Sequence, residues 1–126
     1  MMSLSVIVLA AAALQPAASI SLCGLEAASI PAFFLTLDEA EKTRTMSRMD
    51  EDNLHIYNLD ERSAPMPRTR VWMATSVKHK AYPAIACYDY YYDADGLEMK
   101  TDFRCDGDVA ACEAFAERLR VKKDPS

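Results

Sequence analysis

The sequence predicts an α+β fold: an antiparallel β-sheet of about four to five strands, joined as hairpins in a meander, with a C-terminal amphipathic helix packed on one face. Three observations carry this prediction. Residues 84–105, AIACYDYYYDADGLEMKTDFRC, hold two strand-like runs around Asp93-Ala94-Asp95-Gly96, and Asp-Gly is a strong hairpin signal because glycine takes positive φ without steric cost. Residues 54–59 and 69–77 show the same period-two alternation with β-branched and aromatic residues. Val109, Cys112, Phe115 or Ala116, and Leu119 recur at three- and four-residue spacing, the period of an amphipathic helix. With 126 residues, 51% of them hydrophobic and only three glycines, the chain has material for one packed domain.

In chain order, residues 1–20, MMSLSVIVLAAAALQPAASI, carry no charge, and the apolar run over residues 6–14 precedes Pro16 and small residues. This is the outline of a signal peptide, with Ala17-Ala18-Ser19 supplying the small residues that a signal peptidase reads. The expected division is a signal peptide over residues 1–19 and a single small α+β domain over residues 20–126. That makes the protein periplasmic or secreted, with no stable membrane insertion after cleavage. The run lacks Lys and Arg at its start, so an N-terminal membrane anchor is the alternative. Leu22 stands where a lipoprotein would place a small residue before Cys23.

Residues 23–36 read as an irregular lead-in interrupted by Pro31, followed by a short strand over residues 33–37. Asp38 with Glu41 resembles a capping box, giving a helical turn and then a strand ending at Met49. Asp50-Glu51-Asp52-Asn53 suits a turn between that strand and residues 54–59. Pro65 and Pro67 make residues 60–68 a loop, since proline cannot donate to a ladder. Residues 69–77 form a strand with Arg70, Trp72 and Ala74 on one side and Val71, Met73 and Thr75 on the other. Residues 78–83, Lys-His-Lys-Ala-Tyr-Pro, are a basic connector. In the hairpin that follows, a turn at Asp95 and Gly96 would set Tyr88 opposite Phe103, Tyr90 opposite Thr101 and Tyr92 opposite Met99. Asp89, Tyr91 and Asp93 would then face Asp102, Lys100 and Glu98. One sheet face is expected to be aromatic and buried, the other charged and wet. Asp106-Gly107-Asp108 ends the sheet and caps the last helix, with Lys122 and Lys123 complementing its dipole before Pro125.

Cys23, Cys87, Cys105 and Cys112 are an even set in a short chain with an export signal, which implies two disulfides and allows three connectivities. In the hairpin register Cys87 and Cys105 point to opposite faces, which disfavours their direct bridge. Cys105 with Cys112 closes a short loop between strand end and helix start, leaving Cys23 with Cys87. No CxxC or zinc-type Cys/His spacing occurs, and neither a metal nor a cofactor is expected. Asp93-Ala94-Asp95-Gly96 overlaps part of an EF-hand loop, yet Tyr91 occupies the first ligand position and Asp102 the place of the terminal Glu.

A net charge of -5 and a pI near 5.0 argue against a nucleic-acid partner, which selects clustered Lys and Arg. The two histidines, His55 and His79, lie in no context that positions a nucleophile, and no GxSxG, HExxH or phosphate-cradling glycine loop is present. The expectation is therefore no enzyme and no catalytic residue. Tyrosines offer amphipathic contact area at low entropy cost. Tyr88, Tyr90 and Tyr92 are expected beneath the C-terminal helix, leaving Tyr91, with Lys100 beside it, to meet a protein partner. Trp72 is the third partner-binding candidate, with core placement as its alternative. Residues 63–67, Ser-Ala-Pro-Met-Pro, form the one rigid loop that an enzyme inhibitor could insert.

Tyr57-Asn58-Leu59-Asp60, then Ser63, the Val71-Trp72 pair, and Cys105 at the end of a later strand resemble the surface-adhesin protein E-like family of exported bacterial proteins. The likeness spans residues 53–105. Arg104 replaces the family's acidic residue before the cysteine, and a helix follows where the family has a strand. The resemblance implies an antiparallel sheet and a non-enzymatic binding or adhesion role at the cell envelope. A small periplasmic inhibitor of an enzyme such as a hydrolase is the alternative, and an enzyme of unknown type the third.

Overall fold

Alternation and turn chemistry lay the chain out as β1 (Ile20–Leu22), β2 (Leu25–Ala27), α1 (Ile30–Thr43), β3 (Met46–Glu51), β4 (Leu54–Glu61), β5 (Arg68–Thr75), β6 (Ala84–Asp93), β7 (Gly96–Cys105) and α2 (Val109–Lys123). The structure, a computed structural model, describes residues 19–44, 46–61 and 67–123. Strands β3 to β7 pair in sequence order as one antiparallel meander, and β1 pairs with β2 in a separate two-stranded ribbon. The α+β class read from the sequence is the observed one. Residues 1–18 of the expected signal peptide, and residues 63–66 of the loop considered for an inhibitor, lie outside the described residues.

Short turns fix the register. Asp52 and Asn53 both take positive φ, 53° and 62°, between β3 and β4, the geometry that two-residue hairpin loops favour. Cys23 and Gly24, at 51° and 87°, do the same between β1 and β2. The β6–β7 turn differs from expectation. Asp93 Oδ1 accepts a 2.8 Å hydrogen bond from the Asp95 amide, the chain reverses at Ala94-Asp95, and Gly96 takes φ 114° after the reversal. An Asx-type contact thus selects a turn that leaves positive φ to the following glycine. Asp93 pairs with Gly96, so Tyr88 lies opposite Thr101, Tyr90 opposite Met99 and Tyr92 opposite Leu97. The register is two residues from the one expected. A shift of two preserves which side chains share a face.

Residues 30–43, expected as an irregular lead-in, a short strand and a helical turn, form one helix. Ser29 Oγ accepts from the Ala32 amide at 3.2 Å, and Pro31 sits in the first turn, where a missing N–H and a fixed φ are no handicap. Ile30, Phe33, Leu37 and Ala40 then fall on one buried stripe. That stripe, with Leu22 of the β1–β2 ribbon, covers Met46, Tyr57, Leu59, Trp72, Ala74, Ile85 and Cys87. The sheet face expected to be wet is therefore largely buried. Full burial of Phe33, Leu37 and Trp72 contributes roughly 1.5–3 kcal/mol each.

The opposite face carries Ala84, Ala86, Tyr88, Met73 and Phe103 beneath Phe115 and Leu119 of α2, as expected. Asp108 caps α2 through a 3.0 Å bond from the Ala111 amide. Tyr92 is not under this helix: it is 48% exposed at the hairpin tip. The faces also dictate the disulfides. Cys87 lies on the α1 face and bonds Cys23 in the ribbon turn, while Cys105 lies on the α2 face and bonds Cys112. Both expected bridges are present. Two disulfides in so short a chain point to an oxidising, extracellular or periplasmic compartment.

Candidate functional site

Beyond the reach of α1, the outer halves of β5, β6 and β7 bring several charged groups together on the α1 face. Arg68 pairs with Tyr91 across the β5–β6 ladder, and Asp89 pairs with Lys100 across β6–β7. Asp89 is buried, 6% exposed, and its two carboxylate oxygens accept from Arg68 Nε at 2.9 Å and Arg68 Nη2 at 2.6 Å. A planar guanidinium matched to a carboxylate in this fork is geometrically fixed as well as charge-assisted. Held there, the Arg68 guanidinium lies 5.6 Å from the centroid of the Tyr91 ring, and Lys100 Nζ lies 5.6 Å from the same centroid. Both distances are within cation–π range.

Of the residues the sequence singled out, Tyr91 and Lys100 are thus brought together. Trp72 is not with them. It is fully buried beneath α1 and the ribbon, and its indole N–H donates to the Leu22 carbonyl at 3.0 Å. An indole with no exposed surface offers a partner nothing, so Trp72 is a core residue that fastens the ribbon to the sheet. Arg68 and Asp89 were not anticipated. Their proximity depends on the β5–β6 register, set across the long connector of residues 76–83, which no local pattern encodes.

The other face of the same hairpin tip is apolar. Tyr92 and Leu97 are directly opposite each other and 48% and 61% exposed, with Tyr90 and Met99 the next pair inward. Tyr88 and Tyr90 stack with ring centroids 6.4 Å apart. The tip therefore offers a fixed cation–aromatic cluster on one side and an exposed aromatic–aliphatic pair on the other.

A second charged group lies at the α1–sheet seam. The Tyr57 hydroxyl donates to Asp38 at 2.6 Å, Arg48 bridges Asp38 and Asp50, and His55 Nδ1 lies 2.7 Å from Asp50. Burial, and then the Asp38 hydrogen bond, push the Tyr57 phenol well above its ordinary value. The hydrogen bonds of His55 and Arg48 hold the Asp50 carboxyl below the usual carboxylate range. These groups satisfy one another and fasten α1 to β3 and β4. Among the described residues no cluster of three or more His, Cys, Asp or Glu side chains could hold a metal ion, and no described helix is long and apolar enough to cross a membrane. The chain matches no protein-family model, curated protein or solved structure.

Proposed function

We propose that the protein is an exported, non-enzymatic binding module of the bacterial cell envelope that takes a protein partner on the outer half of the β6–β7 hairpin. The observation that carries this reading is the Tyr91 ring with two cations at 5.6 Å, one of them locked by buried Asp89. Tyrosine and arginine dominate interface hot spots, and a side chain already held in place loses little entropy on binding. The exposed Tyr92 and Leu97 widen the surface around that anchor. Two disulfides and the signal-like N-terminus support export to the periplasm or beyond. The resemblance to surface-adhesin protein E-like proteins supports an envelope role.

The test is capture of a saturable partner from envelope extract by the immobilised oxidised protein, compared with Tyr91→Ala and with Pro65→Gly/Pro67→Gly. Losing a hot-spot tyrosine should weaken capture by about 30-fold or more, and the loop change should leave it intact. Capture that survives Tyr91→Ala and fails with the loop change overturns the hairpin reading in favour of an inhibitor. Capture that survives both places the partner elsewhere and equally refutes it.

A further inference from the structure

At the end of the sheet remote from Tyr91, the β3–β4 turn, the connector over residues 76–83 and α2 line an open cavity of about 320 Å³. Its charged lining is lopsided: Lys78, Lys80 and Arg118 against Asp52 alone. The chain as a whole carries -5, so this is a local reversal of sign. None of the three cations has a carboxylate within salt-bridge distance among the described residues. Turn geometry accounts for Asp52 and Asn53, whose residue types tolerate positive φ.

The connector that presents them is held in place. The Ser76 amide donates to the Asn53 carbonyl at 2.8 Å, the His79 amide to Ser76 O at 3.0 Å and the Tyr82 amide to His79 O at 3.1 Å. His79 Nδ1 accepts from the Ala81 amide at 3.0 Å, and its ring packs on Phe115 with centroids 4.7 Å apart. With Nδ1 occupied as an acceptor, the neutral imidazole carries its proton on Nε2 and lines the cavity as a donor. Burial, and then the Arg118 charge, hold His79 below its ordinary value, which keeps the ring neutral at pH 7.

A smaller recess of about 50 Å³ shares Asp52, His79, Phe115 and Arg118 with this cavity and continues between Leu54, Met73 and Leu119. The two together form an amphipathic site, with a cationic mouth over an apolar floor that holds a short alkyl group and little more. We propose that this site binds a small phosphomonoester with a short apolar end, its dianion at Lys78, Lys80 and Arg118 and its alkyl group in the recess. The net of two positive charges at the mouth matches a dianion, and ligand sites commonly combine an apolar floor with a few convergent polar groups. This site is separate from the Tyr91 surface, and neither depends on the other.

Titration calorimetry on the oxidised full chain at low salt tests it, with n-butyl phosphate, inorganic phosphate and n-butanol as probes. n-Butyl phosphate should bind saturably at one site, more tightly than inorganic phosphate by about fourfold for each methylene buried. Lys78→Gln, Lys80→Gln and Arg118→Gln should each weaken it by about tenfold, the scale of one charge-assisted hydrogen bond. Asp52→Asn keeps a residue suited to positive φ and removes the opposing charge, so it should tighten binding by about fivefold. That gain is one that a merely structural role could not produce, and it keeps the test decisive should Arg118→Gln fold poorly. Non-saturating heats, equal affinity for n-butanol, or indifference to Asp52→Asn would overturn the proposal.

Discussion

The two disulfides make sharply different predictions because they close loops of different length. Cys23 and Cys87 are 64 residues apart in sequence, Cys105 and Cys112 only seven, and the two loops neither nest nor interlock. Each bridge therefore restricts the unfolded chain independently. Loop-closure entropy gives about 4 kcal/mol for the long loop and about 2.5 kcal/mol for the short one at 25 °C. A domain of this size shifts its Tm by about 4 °C per kcal/mol. Removing the long bridge as Cys23→Ser/Cys87→Ala should lower Tm by about 15–20 °C, and removing the short one as Cys105→Ser/Cys112→Ser by about 10 °C. The combined loss, about 6–7 kcal/mol, falls within the whole stability expected of a small domain, so the quadruple variant should be largely unfolded near 37 °C. Circular dichroism melts under non-reducing conditions measure all three. Hydrogen exchange adds a local check. Besides the disulfide, the ribbon is fastened by the Trp72 and Arg70 bonds to the Leu22 and Cys23 carbonyls, so amides of residues 20–27 should lose protection first. A short-loop deletion that destabilises as much as the long one, or protection in the ribbon that survives loss of Cys23–Cys87, would refute this reasoning.

Gly107, His79 and the N-terminus each carry a further prediction. A Cβ at Gly107 would collide with the Ala81 carbonyl and approach the Tyr82 carbonyl at 2.8 Å; Gly107→Ala should therefore cost about 1–3 kcal/mol in denaturant melts through overpacking of backbone against backbone. His79 is held below its ordinary value near 6.5, so the unfolded chain binds that proton more readily than the folded one. Its contribution to stability is whole above pH 6.5 and is lost as the pH falls through the lower folded value, and the drop in denaturant midpoint between about pH 7.5 and about pH 5.5 should be smaller in His79→Gln than in the parent protein. Mass spectrometry of the protein from its native host should find a start near Ser19 or Ile20; an intact Met1 in a soluble cytosolic fraction would contradict export.

What the sequence determined by itself is what local chemistry and side-chain parity can encode. Period-two alternation identifies β4 to β7, and parity alone separates Cys87 from Cys105 and so leads to both bridges, even though the turn lies one residue, and the pairing register two, from where Asp-Gly placed them. The Asp52-Asn53 turn, two residues instead of the expected 50–53 because β3 runs to Glu51, and the Asp108 cap are likewise local: one rests on residue types that tolerate positive φ, the other on the Ala111 amide three residues on. The helix at residues 30–43 was also legible in part. Ser29 before Ile30-Pro31 is a start signal, and the 30, 33, 37, 40 spacing is helical; reading Pro31 as an interruption rather than a first-turn residue hid it.

Tertiary structure alone decided what covers each face. Alternation says that Cys87 and Tyr91 share a side of the sheet, but not that the β5–β6 register adds Trp72 to it, nor that α1 and the ribbon bury Trp72 and Cys87 and stop short of Tyr91. Reach is a property of docked elements, set by the Cys23–Cys87 bridge and by Asp38 against Tyr57 and Arg48. For the same reason Arg68 and Asp89 could not be joined to Tyr91 from sequence, and the basic connector could not be seen to face Phe115 and Arg118. Those contacts link segments about 20 to 40 residues apart, and only the assembled sheet, which fixes the register of each strand against its neighbours, brings them to one place.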